Sequence, residues 1–390
     1  MPDIRPGYRE RMTSIRIALA AALMSASGAL ASAQVTPAAG YTPPDDTPSI
    51  KVGATLFANY TYQTEPRIAD TDGNAVHRNA FDVTRAYVNV TGNISHIVAY
   101  RITPDISRET NPASSLGGSL EFRLKYAYLQ TNFDDWMPRG TYARFGIQQT
   151  PYLDYTEGIY RYRFQGTMFV ERTGYFASAD AGASFHMNFP SNYGDVHVGV
   201  FNGENYTRAE VNDQKAIMIR ATVRPFAAMT PVLRGLRATI FYDGDHYVVN
   251  AERTRTIGQL TFEHPNVVAG FEYLSAKDQP SAALNALDKG GDGYSIWVTP
   301  KSTTGWEGLL RYDHQTPDDR SVFAPASTAP NAATPFESQK QNRLIVGVAY
   351  WFPHQGNVSS ALLLDYDGQR FDRIATAPVK SVAVHALVNF

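Results

Sequence analysis

Three arginines lie close together in one polar and aromatic stretch of the chain. Arg161, Arg163 and Arg172 fall within residues 151–179, where Tyr and Phe are also frequent. An arginine keeps its charge at any physiological pH, and its planar fork binds two oxygens of a phosphate or carboxylate at once. Further cations occupy alternate positions of predicted strands and could face the same space: Arg85, Arg123, Lys125, Arg144 and Arg220. The pattern therefore predicts a set of side chains that guide anions.

Acidic residues offer a second interpretation of the same cations. Glu121, Asp154, Glu157, Glu171, Glu263, Glu307 and Asp313 could line the same space and pair with the arginines. The chain has 35 Lys+Arg against 37 Asp+Glu and a formal charge of −2, so its composition gives no overall anion bias. Lysine is scarce, which argues against a dense lysine cluster. Free and ion-paired arginines both remain open at this stage.

The elements that carry these residues are short and rich in β-forming side chains. The 390 residues include 23 Tyr and 20 Phe, with no convincing helical period longer than two turns. Strand-like runs recur sixteen times, an even number. They are 51–63, 79–93, 96–106, 119–133, 141–150, 180–189, 194–202, 214–224, 235–243, 252–264, 266–276, 292–300, 304–314, 341–351, 358–367 and 380–390.

The gaps between the runs alternate between long and short. The long gaps are 64–78, 107–118, 151–179, 203–213, 244–251, 277–291, 315–340 and 368–379. A soluble β-sandwich has no reason to collect its long loops at one end, whereas an outer-membrane barrel has short turns at one end and longer loops at the other. The pattern predicts an all-β fold, a 16-stranded antiparallel transmembrane β-barrel.

Side-chain alternation supports the barrel. Along 344–350, apolar Leu344, Val346, Val348 and Tyr350 share one face, as expected for contact with lipid. Along 121–128, Phe122, Leu124, Tyr126 and Tyr128 are expected on one face, opposite Arg123 and Lys125. Many aromatic residues near strand ends are expected to form girdles at the membrane interfaces, among them Phe57, Trp297, Trp306 and Trp351.

The amino terminus has the pattern of a secretory signal. Basic residues precede the apolar run 17–30, and Ala31-Ser32-Ala33 fits a cleavage site. We expect residues 1–33 to be a signal peptide, with translation starting at Met1 or Met12. Residues 34–49 contain four prolines and are expected to form a flexible periplasmic leader before the barrel domain, 50–390.

Several other functions are disfavoured. The absence of cysteine excludes disulfides and cysteine-ligated metals, and the balanced charge argues against nucleic acid as a partner. We find no motif for a catalytic, cofactor-binding or metal-binding site. Ser184 and His186 share a strand face but are too far apart to form a catalytic pair. An enzyme barrel and a secreted adhesin remain as weaker alternatives.

Several segments carry a family resemblance. The carboxyl-terminal strand ending in Phe390 resembles outer-membrane barrel proteins, whose assembly machinery reads that strand. The chain as a whole resembles the phosphate-selective (O/P-type) porins of Gram-negative bacteria. The matching segments are Ile50-Lys51-Val52-Gly53, 81–88, 125–129, Gly146-Ile147-Gln148-Gln149-Thr150-Pro151-Tyr152, Phe169-Val170-Glu171-Arg172, 341–351 and 362–366.

The resemblance implies a homotrimeric channel in the bacterial outer membrane, surrounded by lipid. It implies that the third long loop, 151–179, folds into the barrel and constricts the pore. It also implies that the basic residues above guide small anionic solutes such as phosphate. A general pore or an organic-acid pore without phosphate preference is the alternative. We expect no enzymatic activity and no cofactor.

Overall fold

The computed structural model describes residues 46–390 except 110, 112, 230–231, 250, 280–287, 318–339, 355, 357 and 373–375. The side chains of 247 and 248 also lie outside the description. The predicted signal peptide 1–33 and most of the predicted leader fall before the first described residue. The first strand begins at Ser49, at the end of that leader.

Sixteen antiparallel strands form a closed barrel, as predicted. Each strand pairs with its sequence neighbour, and the last pairs with the first, so the sheet has no free edge. The barrel strands are β1 (Ser49–Glu65), β4 (Asn79–Asn93), β5 (Val98–Arg108), β6 (Leu120–Asn132), β7 (Tyr142–Gln149), β8 (Ala179–Asn188), β9 (Gly194–Phe201), β10 (Ala216–Val223), β11 (Leu236–Val248), β12 (Ala251–His264), β13 (Val267–Asp278), β14 (Lys289–Pro300), β15 (Trp306–Thr316), β16 (Gln341–Trp351), β17 (Ser359–Phe371) and β18 (Val379–Asn389). A small hairpin, β2 (Ile68–Ala69) and β3 (Ala75–Val76), lies in the first long connection.

The outer face of the barrel is apolar. On β16, Leu344, Val346 and Val348 are exposed while Ile345 and Ala349 are buried, which confirms the predicted alternation. The same arrangement recurs on many strands, for example at Ile240, Leu260, Ile296, Leu364 and Val384. A closed sheet with an apolar exterior satisfies every backbone group internally and suits a lipid bilayer.

The predicted face of β6 is wrong beyond Leu124. Thr103 pairs with Tyr126 and Pro104 pairs with Leu124, so Lys125 is an extra residue in the ladder. This bulge reverses the alternation: Lys125 and Tyr126 are both buried, whereas Leu124 is exposed. Pro104 has no N–H to donate, which favours an interruption of the ladder at this point.

One predicted long loop is also wrong. Residues 244–251 were expected to be a loop, but β11 continues to Val248 and β12 begins at Ala251. Asp243 pairs with Arg255 and Asp245 pairs with Arg253, so the hairpin extends beyond the predicted strand end. Cross-strand pairs of opposite charge stabilise such an extension.

Two helices interrupt the third long connection. Helix α1 (Pro151–Ile159) starts with proline, and Asp154 lies in its first turn, both of which favour a helix start. Helix α2 (Phe169–Arg172) is a single turn. In the described part of the chain, no helix has the length and apolar character to span a membrane.

At the short-turn end of the barrel, His96 contacts Asp46, the first described residue. His96 Nδ1 lies 2.5 Å from Asp46 Oδ1, and His96 Nε2 lies 2.9 Å from Asp135 Oδ2. The backbone N–H of His96 also donates to Asp46 Oδ1 at 3.1 Å. Hydrogen bonds to Asp46 and then to Asp135 raise the pKa of His96, because both carboxylates favour the charged ring.

Candidate functional site

The connection between β7 and β8, residues 150–178, is called loop 3 from here on. Its polar side chains reach strands far away in the sequence. Tyr162 Oη donates to Glu307 Oε2 on β15 at 2.9 Å, and Gln165 Nε2 donates to Asp365 Oδ2 on β17 at 2.9 Å. Tyr152 Oη donates to Glu272 on β13. All three carboxylates belong to the buried strand faces, so loop 3 contacts the side of the wall opposite to the apolar belt.

Arginines of the wall hold the loop backbone. Arg220 Nε donates to the carbonyl of Pro151 at 3.0 Å, and Arg255 Nε donates to the carbonyl of Tyr175 at 3.1 Å. Arg311 Nη1 donates to a third loop carbonyl, that of Thr167, at 3.2 Å. A hydrogen bond from a charged donor to a backbone carbonyl is stronger than one from a neutral donor. These three bonds secure loop 3 near its start, its middle and its end.

Aromatic packing fills the space between loop 3 and the wall. The rings of Tyr160 and Trp297 lie 5.1 Å apart edge to face, and the rings of Phe164 and Trp351 lie 5.8 Å apart. Phe57 on β1 packs against Phe164 at 6.3 Å. Phe57, Trp297 and Trp351 are therefore buried, and their prediction as girdle residues is wrong. Trp306 remains exposed, as a girdle residue should be.

Two of the three loop arginines are neutralised by carboxylates. Arg161 Nη2 lies 3.0 Å from Glu307 Oε1, and its guanidinium lies 3.4 Å from the Trp351 ring centroid. Arg163 lies 2.6 Å from Glu157 and 3.0 Å from Glu171, and its side chain is only 6% exposed. For these two residues the structure favours the ion-paired alternative that the sequence left open.

Arg144 and Arg220 are also ion-paired. Arg144 Nη1 lies 3.2 Å from Asp154 of α1, and its guanidinium stacks on Tyr142 at 4.3 Å. Arg220 pairs with Asp195 on the neighbouring strand β9. Together with the bond from Arg220 to the loop backbone, these contacts make both arginines positioning residues for the first half of loop 3.

The cations of β4 and β6 are less neutralised. Arg85 Nε lies 3.8 Å from Asp105 Oδ2 and Arg123 Nη2 lies 4.0 Å from the same oxygen. Their side chains are 24% and 33% exposed, whereas Asp105 is fully buried. Lys125 donates to Tyr87 Oη at 3.1 Å and contacts no carboxylate within 4.0 Å among the described residues. Arg85 and Arg123 therefore share one carboxylate, Asp105.

Arg172 is the third loop arginine and differs from the other two. Its Nη2 donates to Gln165 Oε1 at 2.9 Å, and its Nη1 is buried without a hydrogen-bond partner. Within the described part of the chain, no carboxylate lies within ion-pair distance of Arg172. Its backbone ends helix α2, so its position is fixed by the loop bonds described above.

Phe390 closes the barrel seam. Its backbone N–H donates to the carbonyl of Ala54 at 3.1 Å, and its own carbonyl accepts from Ala54 N–H at 3.0 Å. The side chain is largely exposed on the outer face. The role of Phe390 in membrane assembly stays a prediction.

Sequence reasoning selected the carboxylates that pair with Arg144, Arg161 and Arg163, but it did not select four others. Asp105, Asp195, Asp365 and Asp367 occupy the buried faces of their strands and face arginines, a histidine or loop 3. The alternation of side chains along β17 would have identified Asp365 and Asp367, because Leu362, Leu364 and Tyr366 mark the outer face of that strand. Arg343, which pairs with Asp367 at 2.6 Å, could have been found in the same way. Among the described residues, no group of three or more His, Asp or Glu could hold a metal ion.

Comparison with known proteins shows the fold. No protein-family model matches the chain, and no curated protein matches it. An anion-selective porin from Comamonas acidovorans superimposes with a TM-score of 0.59 at 10% identity, covering 88% of this chain and 100% of that chain. The outer-membrane channel DcaP of Acinetobacter baumannii gives 0.55 at 12%, covering 90% and 99%. OmpT of Vibrio cholerae, described as a trimer form, gives 0.53 at 12%, covering 88% and 100%.

The fold is thus that of outer-membrane porins. The closed 16-stranded barrel, the apolar outer belt and these neighbours together indicate a location in the bacterial outer membrane. At identities of 10% to 12%, the neighbours' own specificities do not transfer to this chain.

Proposed function

We propose that the chain is a passive diffusion channel for small hydrophilic solutes that prefers anions. Solutes would move down their own gradient, without a cofactor and without a chemical step. Loop 3 would narrow the lumen, since a barrel of sixteen strands otherwise encloses an aqueous channel. The contacts of loop 3 with β1, β13, β15 and β17 support this role.

The observation that carries the anion preference is the wall formed by β4, β5 and β6. Besides Arg85, Arg123 and Lys125, it carries Arg101, whose guanidinium bonds to Asn89. Arg108 also lies on this wall and pairs with Asp82 at 2.6 Å, so five cations face three carboxylates, Asp82, Asp105 and Glu121. The adjacent triad of Arg163, Glu157 and Glu171 adds one net negative charge, which leaves one net positive charge.

This excess is small, and it sets the expected selectivity. A wall with one uncompensated positive charge favours anions moderately and holds none of them tightly. Phosphate is one anion such a wall would attract, and we propose no exclusive preference for it. Arg85 and Arg123 are the cations most accessible to a passing solute, because they keep a quarter to a third of their side-chain surface exposed.

We also propose a homotrimer. The apolar outer face extends around the barrel, so part of it could pack against identical copies while the rest contacts lipid. A trimer form described for OmpT of Vibrio cholerae supports this assembly. Cross-linking of the refolded protein in detergent tests it, and a monomer as the sole product would contradict it.

The reversal potential of single channels in a planar bilayer with a KCl gradient tests the main proposal. The wild-type protein should give an anion-selective potential. Arg85→Gln with Arg123→Gln changes the net charge of the wall and the adjacent triad together from positive to negative and should shift the selectivity towards cations. Arg234→Gln, a surface change at the short-turn end, is the matched control and should not shift it.

Two results would contradict the proposal. Correctly folded protein that forms no channels would exclude the pore function and favour an enzyme or an adhesin instead. Channels whose selectivity is the same in the wild type and in the double variant would keep the pore but remove this wall from its mechanism.

A further inference from the structure

A cavity of about 180 Å³ lies between α2 of loop 3 and the wall formed by β15, β16 and β17. It has room for several water molecules or a small solute. The lining residues that matter here are Phe169, Arg172, Gln315, Gln341, Arg343 and Gln369. This cavity is separate from the β4–β6 wall.

The cavity lining carries two arginines, Arg172 and Arg343, and one aspartate, Asp313. Arg343 binds Asp367 with two nitrogens at 2.7 Å and 2.6 Å. Arg311 binds Asp313 in the same two-pronged way, at 2.8 Å for both bonds. Both pairs are balanced. Arg172 has no such partner among the described residues, and it lines the same cavity as Arg343.

A further carboxylate, Asp365, lies outside the cavity lining, and Gln165 links it to Arg172 by accepting a hydrogen bond from Arg172 and donating one to Asp365. Asp365 accepts a hydrogen bond from Gln165 and contacts His385 Nε2 at 3.1 Å. It lies two residues before Asp367 on β17, and it is not part of the cavity lining. Arg172 lines the cavity, and a guanidinium without an ion-pair partner there favours a ligand that brings an oxygen acceptor.

Three glutamines form a ladder across the opposite side of the cavity. Gln369 Nε2 donates to Gln341 Oε1 at 2.5 Å, and Gln341 Nε2 donates to Gln315 Oε1 at 2.7 Å. A carboxamide has two donor hydrogens and two acceptor lone pairs, so each member keeps capacity for further hydrogen bonds. Neutral groups that both donate and accept are suited to hydroxyl groups, which do the same.

From this arrangement we infer that the cavity binds a small hydroxy-carboxylate, a monoanion such as gluconate. The carboxylate binds Arg172, since one uncompensated cation matches one negative charge and the guanidinium fork matches two carboxylate oxygens. The hydroxyl groups bind the glutamine ladder. The inference rests on the proposed channel function. It adds the class of solute that binds in this part of the lumen.

Current block in single channels tests the inference. Sodium gluconate added to KCl should block the wild-type current in a concentration-dependent way, and acetate should block more weakly because it lacks hydroxyl groups. Arg172→Gln should weaken the block by both anions about 10- to 100-fold, as expected for loss of a charged hydrogen bond. Arg172→Lys should restore part of it.

A second variant separates the two halves of the site. Gln341→Met removes the middle of the ladder and should weaken gluconate block about 3- to 10-fold while leaving acetate block unchanged. Arg234→Gln should change neither. Heat-modifiable migration on gels confirms that each variant has a folded barrel.

The outcomes distinguish this inference from the channel function. An anion-selective wild-type channel that gluconate does not block overturns the inference and leaves the channel function standing. Phosphate block stronger than gluconate block, unaffected by Gln341→Met, also overturns it, because the site is then a simple anion site. Absence of any conductance from folded protein removes the channel function itself.

Discussion

The triad of Arg163, Glu157 and Glu171 gives a quantitative prediction about loop 3. Arg163 is the common partner of both carboxylates, and all three side chains are less than 15% exposed. Arg163→Met removes the cation and leaves two buried like charges facing each other. Breaking a buried ion pair by removing one partner costs about 3–5 kcal/mol, because the remaining charge is uncompensated.

This cost should appear as local opening of the loop. The barrel wall is held by its own hydrogen-bonded ladders, whereas loop 3 is held by side-chain contacts. At 1.4 kcal/mol per factor of ten, 3–5 kcal/mol increases the opened fraction from about 100-fold to about 4,000-fold. Hydrogen exchange of peptides covering 160–172, followed by mass spectrometry, measures the change directly.

A charge-neutral variant is the matched control. Arg163→Met combined with Glu157→Gln and Glu171→Gln removes all three charges and should recover most of the protection, since neutral replacements of a buried ion pair are often tolerated. Unchanged protection in Arg163→Met would refute the argument. An equal loss in the triple variant would also refute it, because packing rather than charge would then hold the loop.

Three further predictions concern other parts of the barrel. Gly270→Ala places a methyl group against the Trp297 indole and should destabilise the barrel by about 1–3 kcal/mol, measured as a lower thermal unfolding midpoint; Gly258→Ala, at a position with open space, should have no such effect. The raised pKa of His96 means that its contacts contribute fully below the ordinary value of about 6.5 and are lost as the pH rises through the raised pKa. Amide exchange at His96 should therefore be slower at pH 5 than at pH 9 once corrected for intrinsic rates, and His96→Gln should abolish that difference. Phe390→Ala keeps the seam hydrogen bonds and should reduce the fraction of heat-modifiable protein in outer-membrane preparations without changing the stability of the refolded barrel.

The strands could be predicted because their signal is local. Alternation with a period of two and turn residues between the runs depend only on neighbouring residues, and all sixteen barrel strands were found. The extent of the β11–β12 hairpin and the bulge at Lys125 depend on pairing with another strand. A single-residue bulge reverses every later side chain, so Tyr126 and Tyr128 were assigned to the wrong face.

The candidate site was less predictable because it is formed by distant residues. Gln165 and Asp365 are 200 residues apart, and Arg161 meets Glu307 across a similar separation. The candidate cations could be identified from the sequence, but the cations that form ion pairs with carboxylates could not. Arg172 looked like Arg161 and Arg163 in the sequence, and only the fold separates it from them.

The one-sided packing of loop 3 has a consequence for solutes in the proposed channel. Its aromatic residues pack against β1 and against the strands from β9 to β18. On the opposite side, β4 and β6 carry the partly exposed guanidinium groups of Arg85 and Arg123. In the proposed channel, the open path would be eccentric rather than axial, and its electric field would point across the path. A zwitterion would turn its negative end towards Arg85 and Arg123 as it passes. Transit time would then depend on the dipole moment of the solute as well as on its size and net charge.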